Sequence, residues 1–186
     1  MRKIIVSEFI TLDGIIEAPD KWSLRFWNDE IAKFKFDELF AGGALLLGRI
    51  TYQGFAAAWP SRTDEEGYAD RMNSLPKFVV STTLAKAEWN NSTLLKNNIA
   101  AEISKLKQQP GQNILVFGSG GLIQTLKAHH LIDEYRLLVY PVVWGGGKRL
   151  FQNGDETQIL KLIEAKAFSS GVVALSYKLA EKKVEG

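Results

Sequence analysis

Three short apolar runs in this chain all stop in the same abrupt way. Residues 44–47 (ALLL) run into Gly48-Arg49, residues 78–80 (FVV) into Ser81-Thr82-Thr83, and residues 114–117 (ILVF) into Gly118-Ser119-Gly120-Gly121. A run that is apolar at consecutive positions suits a strand buried on both faces, and such strands belong to a sheet covered by helices on each side. Helical spacing or short helix signals follow the first and third of these runs. If the three strands lie parallel, their glycines and hydroxyls converge on one sheet edge, and that is where open α/β sheets bind ligands.

The rest of the chain fits this frame. Residues 3–9 read as a β-branched strand with a turn at Asp13-Gly14, and residues 28–40 as a helix capped by Asn28 or Asp29 and ended by Gly42-Gly43. A short helix over 50–58 stops at Pro60, the acidic stretch after it holds another candidate helix, and residues 93–95 form a candidate strand. A helix capped by Asn97 or Asn98 reaches Gln108, a strand covers 113–117, a helix covers 119–129 and a long strand 132–141. Residues 158–167 and 171–178 read as two antiparallel strands joined across Ser-Ser-Gly. The expected fold is α/β, with a mostly parallel sheet and an antiparallel C-terminal edge hairpin.

At 186 residues the chain is long enough to enclose a core as one unit, read as a single domain over 1–180 with a polar tail at 181–186. There is no cysteine, which excludes thiolate catalysis and Cys-built zinc sites. Twenty-three basic and 21 acidic residues are interspersed, against a nucleic-acid-binding stripe. No apolar stretch has the length of a membrane span, so the expectation is a cytoplasmic protein with neither membrane nor nucleic-acid partner. His129 and His130 sit at a helix end where imidazoles favour the dipole, and no metal site is expected.

A strand that ends in glycines and opens a helix brings free backbone N–H groups and the positive end of a helix dipole to one point, which favours a phosphate. The glycines at 118, 120 and 121 fit that role, as they fit a plain tight turn. Arg49 beside a helix start, with the Thr51 hydroxyl behind it, suits a phosphate or merely covers a strand end. Ser81, Thr82 and Thr83 suit a nucleotide or cap a turn. Taken together, the three favour a nucleotide site.

LLLGRITYQGF, KFVVSTTL, ILVFGSGGLIQTL and LIDEYRLLVYPVVWGGGKRLF, in this order and after the opening VSEFITLDGII, resemble the dihydrofolate-reductase-like superfamily. The nearest branch is the reductase domain of bacterial riboflavin biosynthesis and its stand-alone relatives. This resemblance implies a three-layer α/β/α fold, NADPH as hydride donor, a pteridine- or pyrimidine-like acceptor, and a homodimer. It places Gly48, Arg49 and Thr51 against the cofactor phosphates, and Ser81, Thr82 and Thr83 around the adenosine ribose and its 2′-phosphate. Gly118, Ser119, Gly120, Gly121 and Leu122 would hold the pyrophosphate, with a cis Gly118–Ser119 bond by analogy.

On the acceptor side the resemblance makes Asp13 a border of the nicotinamide or substrate. Ala32 stands where dihydrofolate reductases carry the carboxylate that grips the pterin, and Glu30, about half a turn away, is the candidate to replace it. Phe117 stands where the riboflavin-pathway domain carries a Glu. Trp22 and Trp27 are candidates to stack on a planar ring, against packing in the core, and Tyr52 either lines the pocket or packs. The sequence therefore reads as an NADPH-dependent reductase of a small heterocycle. Its alternatives are dihydrofolate reductase proper, the riboflavin-pathway pyrimidine reductase, and a dinucleotide-binding module without catalysis.

Overall fold

The structure is a computed structural model in which residues 1–180 are described, so the expected tail lies outside them. In chain order the elements are β1 (Ile4–Thr11), α1 (Asp29–Ala41), β2 (Gly42–Gly48), α2 (Arg49–Ala58), α3 (Tyr68–Ser74), β3 (Lys77–Val80), β4 (Ser92–Leu95), α4 (Ile99–Gln108), β5 (Asn113–Phe117), α5 (Gly120–Ala128), β6 (Glu134–Tyr140), β7 (Leu160–Ala167) and β8 (Val173–Leu179). Two 3₁₀ turns, Pro19–Lys21 and Leu24–Phe26, lie in the stretch before α1 and were not legible in the sequence.

The strands form one sheet in the order β4-β3-β2-β5-β1-β6-β8-β7. Every pairing from β4 across to β6 is parallel, and the β6–β8 and β8–β7 pairings are antiparallel. Alternate side chains of the central strands enter opposite layers. Ile4, Val6, Leu46 and Val116 pack with Ile103 of α4 and Ile123 of α5, whereas Ile5, Leu45, Leu47 and Leu115 pack with Leu39 of α1 and Met72 of α3. The double burial explains why these strands carry no polar alternation. The Asn28 side chain accepts from the Ile31 amide at 3.0 Å and starts α1, a cap worth about 1 kcal/mol. Asn98, by contrast, sits at φ 48° and makes no side-chain cap.

Unequal strand lengths position the site. β5 ends at Phe117, where its pairing with β1 stops at Ser7↔Phe117 and that with β2 at Leu45↔Leu115. β1 runs on to Thr11 beside β6, and β2 to Gly48 beside β3. A notch therefore opens at the C-terminal end of β5, between β1 and β2, and the glycine turn fills its mouth.

Candidate active site

The turn after β5 is built from two successive residues in the left-handed region, Gly118 at φ 54° and Ser119 at φ 64°. The Gly118–Ser119 bond is trans, since the described chain has no cis peptide. The analogy with dihydrofolate reductases fails at this detail because the two left-handed residues already reverse the chain. A Cβ on Gly118 would meet Thr51 Oγ1 at 2.9 Å, so the side chain excluded there makes room for Thr51. That hydroxyl accepts from the Ser119 amide at 2.9 Å, and Ser119 Oγ accepts from the Gly48 amide at 2.9 Å while donating to Phe117 O at 3.0 Å. The two glycine turns are thereby fastened into one rigid corner.

α2 and α5 both start at this corner, and neither has a side-chain cap. The first amides of a helix have no partner within it. Two sets of unpartnered N–H groups, with two positive dipole ends and the exposed Arg49, thus face one volume. This donor chemistry suits a pyrophosphate. Ser119 contributes through the frame only, because both its amide and its hydroxyl are engaged. Ser81 is similarly engaged: its hydroxyl accepts from the amides of Thr83 at 3.2 Å and Leu84 at 2.9 Å, closing the turn after β3.

The corner opens into a cavity of about 1490 Å³, larger than the ~300–1,000 Å³ of a typical small-molecule pocket and roomy enough for two occupants. Gly48, Arg49, Thr51, Ser81, Thr82 and the whole stretch Gly118 to Leu122 line it, as does Trp27. The structure therefore gathers eleven of the sixteen expected site residues around one space: those ten, read off the sequence as cofactor contacts, and Trp27.

The other five lie elsewhere. Thr83 is outside the cavity wall. Trp22 is buried in a separate core cluster with its Nε1 donating to Glu17 O at 3.0 Å and its ring edge on Tyr140. Tyr52 is buried in the second core cluster, its hydroxyl accepting from the Trp89 amide at 2.9 Å. Glu30 faces the turn between β7 and β8, where Ser169 donates to it through amide and hydroxyl, and these bonds hold its carboxyl below the ordinary value.

Asp13 fastens two loops. Its carboxylate accepts from Thr11 Oγ1 at 2.6 Å, Trp144 N at 3.1 Å and Gly145 N at 2.8 Å, and these bonds hold it down at about 2. Arg149 donates to Asp13 O at 2.6 Å, and Ile15 bridges Arg149. The Gly-rich loop 144–147 is pinned at this point.

Of the charged residues lining the cavity that the sequence reading passed over, two are buried: Glu8 of β1 and Lys35 of α1. Glu8 is 4% exposed, and its Oε1 has no hydrogen-bond partner among the described residues. Burial pushes its carboxyl well above the ordinary value; Lys35 opposes that shift and Glu38 adds to it. Lys35 donates to Ser7 Oγ at 2.9 Å and to Glu38, and its Nζ lies 4.2 Å from the Phe117 ring centre. Arg136 Nη1 approaches the other oxygen of Glu38 at 3.6 Å. Two sequence signals mark these residues: a carboxylate inside the apolar run IIVSEFI, and a Lys and a Glu on the buried stripe of α1 that carries Ile31 and Leu39.

A mostly parallel sheet with an antiparallel edge pair, helix starts gathered at a notch in its C-terminal edge, and a large cavity beside them define an α/β domain of the dihydrofolate-reductase-like fold. The chain belongs to the RibD C-terminal domain family, whose sequence pattern it matches over residues 2–174. It is 34% identical over 182 residues to the uncharacterized protein YyaP of Bacillus subtilis strain 168, covering 95% of this chain and 94% of that protein. The uncharacterized protein YwjB of the same organism is 26% identical over 174 residues, covering 92% and 95%.

Among solved structures, a Shewanella sp. PV-4 protein provisionally named for riboflavin biosynthesis superposes with TM-score 0.78 at 22% identity, over 96% of this chain and 99% of its own. A pyrimidine reductase-like protein of Corynebacterium diphtheriae superposes with TM-score 0.63 at 12% identity, over 97% and 92%. RibD of Acinetobacter baumannii gives 0.65 at 14% identity over 97% of this chain, which spans 58% of that protein. At these identities the structural likeness speaks for the fold.

Proposed function

We propose that the protein is an NADPH-dependent reductase that transfers hydride to a small planar heterocycle of the pteridine or pyrimidine kind. The observation that carries this reading is the convergence of the uncapped starts of α2 and α5 on one cavity, with Arg49 beside them. The amides of Gly120, Gly121 and Leu122 are the groups to hold a pyrophosphate, and Arg49 with Thr82 is the pair to meet a 2′-phosphate. NADPH would supply the hydride; the chain supplies position, exclusion of water and a polar setting for the acceptor.

The acceptor belongs deeper in the cavity, between Phe9, Trp27 and Phe117, which line it and offer flat apolar contact. Self-association is part of the same reading: Ile159, Leu162 and Ile163 are exposed along and just before the outermost strand, an edge that a second copy would cover.

The test is a titration of the protein with NADPH and, separately, NADH, following quenching of its five tryptophans. Tighter binding of NADPH than of NADH is expected. Binding of neither would withdraw the reductase reading. Binding without oxidation in the presence of pteridine and pyrimidine acceptors would favour a non-catalytic dinucleotide module.

A further inference from the structure

The cavity wall beside Phe117 carries an unusual polar pair. Glu8 projects from β1 just past the last β1–β5 pairing, Ser7↔Phe117, where the strands part. Its neighbours on the same strand face, Val6 and Ile10, belong to the core. No donor reaches its Oε1, and no cation lies within ion-pair distance of it among the described residues. A fully buried carboxyl without a donor or a counter-ion is held as the neutral acid. The charged groups acting on it are Lys35 and Glu38 of α1. Glu17, Arg62, Asp64, Glu65, Glu66 and Lys148 line the same cavity from its loops, Arg49 from α2 and Tyr68 from α3, and the lining residues of β5 and α5 bring no titratable side chain.

Lys35 lies across β1 from Glu8, since Ser7 and Phe9, its contacts on that strand, point to the opposite face. Its charge is balanced by Glu38. An ammonium has three donors, and Ser7 and Glu38 take two. The third has no oxygen acceptor among the described residues.

We propose that Glu8 and Lys35 form a two-donor pole for the hydride acceptor, which is therefore a conjugated ring that presents lone pairs, as a ring imine nitrogen or a carbonyl oxygen, and not a diamino (amidine) edge. The inference rests on the reductase reading above for its chemistry. In the step it implies, hydride leaves NADPH for the carbon of a ring C=N bond and the π pair moves onto nitrogen. The O–H bond of Glu8 breaks as the new N–H bond forms. NADP⁺ and the dihydro ring result, and the Glu8 carboxylate regains a proton from water admitted on product release. Lys35 polarises the ring through a carbonyl oxygen. Glu8 is a catalytic residue in this scheme, and Glu38 and Ser7 position Lys35.

Two measurements test it, and neither needs turnover. The infrared spectrum of the protein at pH 7, differenced against Glu8→Gln, should show the C=O stretch of a protonated carboxylic acid. Binding of lumazine, a pteridine-dione, and of 2,4-diaminopteridine is then followed by ligand fluorescence with and without NADPH. Lumazine should bind roughly tenfold tighter than the diamino compound, the equivalent of one lost hydrogen bond. Glu8→Leu should weaken lumazine by a similar factor, and Glu8→Gln, which keeps a donor, should restore it. An ionised Glu8, a preference for the diamino ring, or binding of neither ring overturns the inference. Failure to bind NADPH with the ring preference intact would remove the reductase reading and leave a heterocycle site.

Discussion

The amide of Gly48 donates to the Ser119 hydroxyl at 2.9 Å, and this bond joins the starts of two helices from distant parts of the chain. The Ser119 amide in turn reaches Thr51 Oγ1 at 2.9 Å. Thr51→Val should therefore leave the Ser119 amide without its acceptor and loosen both turns together. The expected cost is about 1–2 kcal/mol in denaturant unfolding, with weaker NADPH binding measured on the folded variant.

The two ends of the glycine turn should respond oppositely to a side chain. Gly118 is at φ 54° with Thr51 Oγ1 2.9 Å from a built Cβ, whereas Gly121 has nothing within 4 Å. Gly118→Ala should lose stability, by about 1–2 kcal/mol for the left-handed conformation alone. Gly121→Val should unfold like the parent yet lose NADPH, because its branched side chain stands over the helix amides. A stable Gly121→Val that binds NADPH normally would reduce the turn to architecture.

Arg49 is exposed and among the described residues donates only to Gln53 Oε1, at 3.1 Å, so its guanidinium is available to a ligand. Arg49→Ala should weaken NADPH roughly tenfold and NADH by clearly less, as a charge-assisted contact to the extra phosphate requires. Equal losses in the two titrations would assign Arg49 to the pyrophosphate instead.

Glu8 should make the protein less stable than it need be. Its folded value lies above the ordinary 4.5 because burial penalises the anion. From pH 4.5 up to that raised value the folded chain binds more protons than the unfolded one, so stability falls as pH rises through this window. Glu8→Leu removes both the slope and the unpartnered oxygen, and should add about 1–3 kcal/mol at neutral pH while abolishing reduction. Thermal unfolding of parent and variant at several pH values checks it; a gap that stays constant with pH would mean the carboxyl is not held neutral.

Asp13 has the opposite sign. Its folded value is about 2, below the ordinary 3.8, so its contribution is present above pH 3.8 and is lost as pH falls through 2. Asp13→Ala should free the Gly-rich loop at any pH, with faster proteolytic cleavage within residues 144–147 as the readout. Unchanged cleavage would show that Arg149 and the Ile15 bridge suffice to hold the loop.

Much of the architecture was legible because local rules determine it. Consecutive apolar residues in 44–47, 78–80 and 114–117 reported strands covered on both faces, and Asn28 reported the start of α1. Ser169-Ser170-Gly171 reported the final hairpin. Trp22 and Tyr52 were misleading because an aromatic side chain looks the same in sequence whether it walls a cavity or fills a core. Glu30 was misleading because its helical phase points it at the β7–β8 turn, a neighbour that only the folded chain supplies.

The sequence by itself determined the helices, the main strands and the turns that end three of them, since those depend on neighbours a few positions apart. Only the tertiary structure decided which charges face the cavity. Glu8 and Lys35 lie on different elements and meet one space because β5 stops short of β1. The raised value of Glu8 follows from its burial, and burial of that kind is a property of the assembled layers, not of any stretch of chain.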